Sequence, residues 1–552
     1  MRNYLRVGVV VAAAALLAAC AGTPPASVSS SSSAGSAAGS AAGSAAASSS
    51  AAPASSAPVN AAFTYVNNLD VVTEWDPALS YSNEVIAMNN LYEQLTRSNP
   101  TTGKVDPLLA TSWTTSADGL TWTFTLREGV TFSTGAPMDA AAAKAAIERT
   151  VSLKGGAAYI WDPVDTITAK DAITLVFTLK YAAPLDLIAS SAYAAFIYDT
   201  KADAGDLTAW FAKGNAAGTG PYVVESWKKG TEDELKLKAN DTYWGGWEGS
   251  HYTSVVFKVV PELTTAVQLL QSGDGTFIPR VSSAIFDSLQ GQEGISTLRA
   301  PSFQNLLAML NTASGPLADA NLRKAVAQAI DYDGIVTTLQ GAMVKATGVV
   351  PEGLLGYTTD VQQTTDVEAA KAAVAAAGYG PDKPLTLTLT YAAGDPEEET
   401  IVTLMKANLA AVGIDLQAKA LAWETQWDLA KSEDKSKRQD IFVFYWYPDY
   451  ADPFSWFINL YHSANPPYFN LSYWDDPQVD ATIDGLQAVT ATDREKAQQE
   501  YVDLQKTISD QAISPVLGVT NFQRAFASTM TGYVDNPSYS NVVFVHDLTP
   551  TA

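Results

Sequence analysis

Residues 440–453 read Asp440-Ile441-Phe442-Val443-Phe444-Tyr445-Trp446-Tyr447-Pro448-Asp449-Tyr450-Ala451-Asp452-Pro453, and they decide the fold class. Alternate side chains of an extended chain face opposite ways. Here both sets, Ile441/Val443/Tyr445/Tyr447 and Phe442/Phe444/Trp446, are apolar or aromatic. A strand apolar on both faces belongs in the middle of a sheet covered by helices. Pro448 ends it, because proline donates no ladder hydrogen bond. Ligands of open α/β sheets gather beyond the carboxyl ends of strands. Asp449 therefore stands where a ligand-facing charge is expected, a cap on the following turn or helix being the alternative, and Asp452, directly before Pro453, is the better candidate for that cap.

Working outward, Leu385 to Tyr391 and Asp415 to Ala420 read as strands on either side of a helix from about Glu399 to Val412. This strand–helix–strand alternation is the signature of an α/β unit. A helix from Asp366 to Ala377 is predicted to stop at Gly378. Leu322, Val326, Ala329 and Ile330 fall on one helical face between Asp319 and Ile335. Nearer the amino end, Leu120 to Leu126 and Ile173 to Leu179 alternate as half-buried strands. Asp118-Gly119 supplies a turn before the first, and Asp139 opens an alanine-rich helix running to Arg149.

The chain starts with the basic Met1-Arg2-Asn3-Tyr4-Leu5-Arg6, followed by a 13-residue apolar run from Val7 to Ala19 and then Cys20, its one cysteine. A spanning helix needs about 20 such residues, so the run reads as the core of a signal peptide. Small residues before Cys20 resemble the lipobox of bacterial lipoproteins, in which the new amino-terminal cysteine carries the lipid. Residues 21–59 hold no charge and are almost wholly Ala, Ser, Gly, Pro and Thr. Such a tract cannot bury enough apolar area to order itself; as a coil it spans about 35 Å.

Composition excludes several functions. The 552 residues include 34 basic and 58 acidic side chains, a net charge of −24. That balance lacks the cationic footprint of nucleic-acid binders. One cysteine and three separated histidines leave no disulfide framework and no zinc-type ligand cluster. Neither a G-x-S-x-G elbow nor a Walker-type phosphate loop is present, so an enzyme is not expected. No cofactor or metal is expected either.

Six segments carry a resemblance. They are Asn90-Leu91-Tyr92-Glu93-Gln94-Leu95; Pro107 to Trp113; Asp118 to Phe132; Thr219-Gly220-Pro221-Tyr222; Asn240-Asp241-Thr242-Tyr243-Trp244; and Asp319 to Asp331 with Arg323, Ala325 and Ala329. Together, in this order between residues 90 and 331, they resemble the extracytoplasmic solute-binding proteins of ABC importers, family 5. The likeness is greatest to the oligopeptide- and dipeptide-binding members; the family also has nickel- and oligosaccharide-binding ones. Two departures are Thr276, where the family usually has Asp, and Ser133-Thr134-Gly135, where it has His-Asp-Gly.

The resemblance implies an α/β fold of two lobes of the periplasmic-binding-protein type (class II), with a hinge and an extra subdomain inserted in the first lobe. Mapped onto this chain, it gives a leader at 1–19 and a lipidated cysteine with linker at 20–59. The first lobe is expected at 60–93, 216–305 and 521–552, the inserted subdomain at 94–215 and the second lobe at 306–520. It also implies a monomer, held on the outer face of the cell membrane by its lipid, that closes over a peptide and docks on a permease served by its ATPase. Within W-x-x-D-Y-x-D-P, the aspartate that receives the peptide's α-ammonium corresponds to Asp449. Trp446, Tyr447 and Tyr450 are candidate walls, and Tyr81 and Ser82 candidate contacts from the first lobe. No cation for the peptide carboxylate is identifiable. An oligosaccharide ligand is the main alternative, given the abundance of Trp and Tyr; nickel and a surface adhesin are others.

Overall fold

The computed structural model describes residues 60–552 except Leu69, Thr73, Asn465, Pro466 and Ala552. The leader, Cys20 and the low-complexity tract lie outside the described residues.

The chain builds one mixed sheet of 11 strands. Its order is Ile414–Leu421, Leu385–Ala392, Ile441–Trp446, Ile295–Leu310, Val516–Ala527, Phe277–Ile278, Asn60–Asn67, His251–Val259, Asp233–Ala239 and Tyr222–Trp227, with Met343–Val344 paired beside Val516–Ala527. Ile441–Trp446 is central, as its two apolar faces require. It runs parallel to Leu385–Ala392 and antiparallel to Ile295–Leu310. Ile441 and Val443 pack under helices Ala320–Ala329, Val367–Ala376 and Pro396–Ala411; Phe442 and Phe444 pack under Pro477–Thr492 and Arg494–Asp510.

Two long strands join the halves of this sheet. Ile295 to Pro301 pairs with Asn521 to Ala527, and Asn305 to Leu307 with Val516 to Val519, with a register break between Pro301 and Asn305. Pro301 has no N–H to continue the ladder. Ser302 substitutes: its Oγ donates to the Thr520 carbonyl at 2.6 Å and accepts the Gln304 amide at 3.0 Å. Beyond the break Leu306, Ala308 and Leu310 enter the second core, whereas Phe63, Tyr65, Leu235, Val255 and Phe277 fill the first. Two cores on either side of one break make two lobes.

An antiparallel sheet of four strands, in the order Ala110–Thr115, Thr121–Leu126, Thr174–Leu179, Val164–Ala169, forms a further layer. Helix Ala140–Leu153 lies on it, started by Asp139, whose carboxylate accepts the Ala142 amide at 2.8 Å. Its core of Trp122, Phe124, Ile147, Trp161, Leu175 and Phe177 is completed by Tyr450, Tyr539 and Val542 from far along the chain.

Most expected elements appear within a few residues of their predicted bounds. One differs in kind. The helix read between Asp319 and Ile335 is two, Ala320–Ala329 and Tyr332–Thr338. Ile330 is extended, and Asp331 starts a new helix by accepting the Gly334 amide at 2.8 Å. A capping side chain thus outcompeted a continuous apolar face.

Three of the six recognised segments meet at one buried carboxylate. Glu93 accepts hydrogen bonds from the Thr219 hydroxyl (2.7 Å), the Trp244 indole (2.8 Å) and the Tyr243 hydroxyl (3.0 Å). Asn90 bonds the Val543 carbonyl at 2.9 Å and the Val545 amide at 3.0 Å, pinning the carboxyl-terminal segment. Arg323 donates to the carbonyls of Leu317, Ala318 and Gln511. These motif residues hold the fold together.

Candidate functional site

The central strand ends at Trp446, and Tyr447-Pro448-Asp449 projects toward the inserted subdomain. Asp449 is gripped from two directions, by the layer of the four-stranded sheet and by the turn that follows it. Its Oδ2 accepts hydrogen bonds from the Tyr159 hydroxyl and, at 3.2 Å, from the Ser455 hydroxyl, while its carbonyl accepts the Ser191 hydroxyl at 2.6 Å. Asn459 donates to the Tyr159 oxygen at 3.1 Å and to the Ser455 carbonyl at 2.8 Å. The Trp446 indole donates to Ser455 Oγ at 3.3 Å. Ser455 and Asn459 come from the turn Phe454–Trp456 and the widened helical turn Phe457–Tyr461, closed by the His462 amide on the Phe457 carbonyl at 2.9 Å. Such widened turns recur at functional sites.

Burial pushes the Asp449 carboxyl above the ordinary aspartate range, against the hydrogen bonds of Tyr159 and Ser455, which lower it. Its Oδ1 accepts no hydrogen bond from the described residues. A carboxylate with one oxygen held by hydroxyls and the other unengaged is suited to a cation that brings its own donors. Asp452 has the capping role expected of it: it accepts the Phe454 amide at 2.8 Å and the Tyr501 hydroxyl at 3.0 Å.

The other candidates fall in different surroundings. Tyr447 stacks on Tyr193 of the inserted subdomain, with ring centres 6.4 Å and hydroxyls 3.2 Å apart. Tyr450 is fully buried, its hydroxyl bonded by Gln487 at 3.1 Å. It is a packing residue of the subdomain core more than a wall. Trp446 is half-buried against Phe444 and Phe469. The amides of Tyr81 and Ser82 both donate to buried Glu84 at 2.9 Å, leaving the Tyr81 ring 63% exposed. Tyr81 lies near enough to Tyr468 of the second lobe to raise that phenol's pKa, second to the effect of burial.

Sequence reasoning missed Tyr159, Ser191, Tyr193, Asn459 and Arg280. Arg280 crosses to the second lobe, bonding Glu397 and lying 5.7 Å from the centre of the Tyr445 ring. None of these carries a local signal, because each has a partner at the site that is remote in sequence. Among the described residues no three His, Cys, Asp or Glu side chains are grouped to hold a metal ion. His251 and His546 instead stack on each other at 4.8 Å. No helix of the described residues is long and apolar enough to cross a membrane.

Comparison with known proteins bears on the whole arrangement. The chain is 30% identical over 447 residues to the probable D,D-dipeptide-binding periplasmic protein DdpA of Escherichia coli, covering 80% of this chain and 84% of that one. Its fold matches that of the Helicobacter pylori periplasmic binding protein DppA in complex with the peptide STSA, with a TM-score of 0.75 at 21% identity over 89% of this chain and 98% of that one. NikA of Brucella suis, in complex with Fe(III)-EDTA, matches with a TM-score of 0.78 at 21% identity over 89% and 100% of the two chains. Residues 104–468 match the family model for the middle region of bacterial extracellular solute-binding proteins, family 5. With that match spanning more than half its length, the chain belongs to the family 5 bacterial extracellular solute-binding proteins.

Proposed function

We propose that this protein is the peptide-capturing receptor of an ABC importer, lipid-anchored through Cys20. It binds a peptide between its lobes, with the α-ammonium group on Asp449, and delivers it to a permease. The observation that carries this reading is the Asp449 carboxylate, whose Oδ2 is fixed by the Tyr159 and Ser455 hydroxyls while Oδ1 accepts no hydrogen bond from the described residues. An ammonium in that position has a charge partner, without which its burial would cost several kcal/mol.

The lobes correspond to 60–93 with 216–305 and 521–552, to the insertion 94–215, and to 306–520. The register break between Pro301 and Asn305 supports a hinge there, since an interrupted ladder is the least costly place to bend. Ligand contacts made only when the lobes meet favour the closed form; taking it from 1:99 to 99:1 requires ~5.5 kcal/mol of differential affinity. The names of the relatives support a peptide: DdpA is named a probable D,D-dipeptide-binding protein, and the Helicobacter protein was captured with a peptide.

A second reading, an oligosaccharide, is favoured by exposed Trp423, Tyr468 and Tyr81, whose rings suit sugar faces. Thermal-shift screening of mixed peptides against cello- and xylo-oligosaccharides separates the two. Stabilisation by peptides alone is expected; stabilisation by sugars alone refutes the peptide reading.

A further inference from the structure

The central strand faces a second set of side chains that the amine site does not use. From Trp446, ring contacts lead through Phe469 (4.9 Å) to Trp427 (5.1 Å), and from Trp427 to Trp423 (5.4 Å) and Tyr468 (5.9 Å). This lane starts at the ammonium site, because the Trp446 indole is bonded to the same Ser455 that holds Asp449. It ends in the open: Trp423 is 47% and Tyr468 59% exposed, with exposed Tyr81 of the first lobe close to Tyr468.

Over the far end lies Lys431. Its ammonium is 4.8 Å from the Trp427 ring centre and 5.2 Å from that of Tyr468. Lys431 follows directly on the helix Trp423–Ala430, where the helix dipole favours a cation. Lys437, six residues on, pairs with Asp434, but no carboxylate of the described residues lies within salt-bridge distance of Lys431. In a chain with 58 acidic against 34 basic residues, a half-buried lysine facing only rings stands apart. Rings beneath it fix its position while its N–H donors stay available.

We propose that Lys431, with Trp427 and Tyr468, forms a subsite for a carboxylate of the bound peptide, at the end opposite Asp449. This rests on the peptide reading above. The ring contacts of 4.9 and 5.1 Å and the 4.8 Å step to the ammonium put Trp446 and Lys431 no more than about 15 Å apart. Extended residues reach ~3.3–3.6 Å each, so a peptide of about four or five covers that span. The carboxylate is either the peptide's own terminus or a Glu or Asp side chain lying over the rings.

The test uses the purified full-length chain and alanine-based peptides of three to six residues. Each is made with a free or amidated carboxyl terminus, and with Glu or Gln at each interior position. Calorimetry is expected to show, at one length or position, about tenfold tighter binding of the carboxylate form than of its amide. In Lys431→Gln that preference disappears while the amide form keeps its affinity, and in Lys431→Glu it reverses. Loss of preference on terminal amidation identifies the terminus; loss on Glu-to-Gln exchange identifies a side chain. A preference that survives in Lys431→Gln, or equal binding of both forms to the unaltered protein, overturns the subsite while leaving Asp449-dependent binding intact. Failure of every peptide to bind overturns both readings.

Discussion

Replacing Asp449 by Asn removes a charge and little else. The amide oxygen still accepts the Tyr159 and Ser455 hydroxyls, so the bridge between the lobes survives the change. What is lost is the partner of a buried ammonium, at a cost of about 3–5 kcal/mol. Affinity for a free-amine peptide should then fall by roughly a hundredfold to a few thousandfold. Calorimetry supplies a control, because N-acetylation removes the same charge from the ligand. The acetylated peptide should bind the unaltered protein weakly and Asp449→Asn no more weakly, so that the cycle isolates the pair. Proton linkage adds an independent readout. Burial holds the Asp449 carboxyl above its ordinary range, and an ammonium would draw it back down. Binding should therefore release protons, and affinity should fall as pH drops through the raised pKa; both effects should vanish in Asp449→Asn. Equal weakening of free and acetylated peptides by the substitution would refute the ammonium assignment.

Stability should carry its own pH signature. Burial pushes Glu93 up from 4.5 to about 7, its largest cause. A carboxyl raised in the folded state stabilises below its unfolded pKa, and that contribution, about 3 kcal/mol, fades as pH rises to about 7. Melting temperatures of Glu93→Gln should accordingly fall less between pH 4.5 and 7 than those of the parent; an identical slope counts against it. Arg149 bonds fully buried Asp76 at 2.8 Å and Thr208 at 2.9 Å. Arg149→Ala strands that carboxylate and should cost about 3–5 kcal/mol, seen as a lowered melting temperature, whereas an unchanged one would show the pair to be dispensable. Arg280→Ala cuts the Glu397 bond between the lobes. Small-angle scattering of the ligand-free protein should report a larger radius of gyration, and no change would mean that this bond does not hold the lobes together.

The central strand was legible because its signal is local: two apolar faces admit one environment, and the structure buries Ile441 to Phe444 on both faces. The same holds for Asp139, Asp366 and Asp452, whose carboxylates cap the backbone within three residues of themselves. The run from Asp319 to Ile335 was misread where two local signals competed, an apolar stripe against the cap at Asp331. Glu93 looked like part of a family segment, and nothing local foretold that Thr219, Tyr243 and Trp244 would converge on it.

By itself, then, the sequence determined the α/β class, the buried strand and the acid at its end, since each follows from the period of side chains along a few residues. The tertiary structure alone decided what surrounds that acid. Tyr159 lies 290 residues from Asp449 and Ser191 258, so neither partner could be read from a window of sequence. It likewise decided that Tyr450 is buried and that Lys431 faces rings instead of an acid. Side-chain period is written along the chain, whereas the neighbours of a site are chosen by how separate lobes pack.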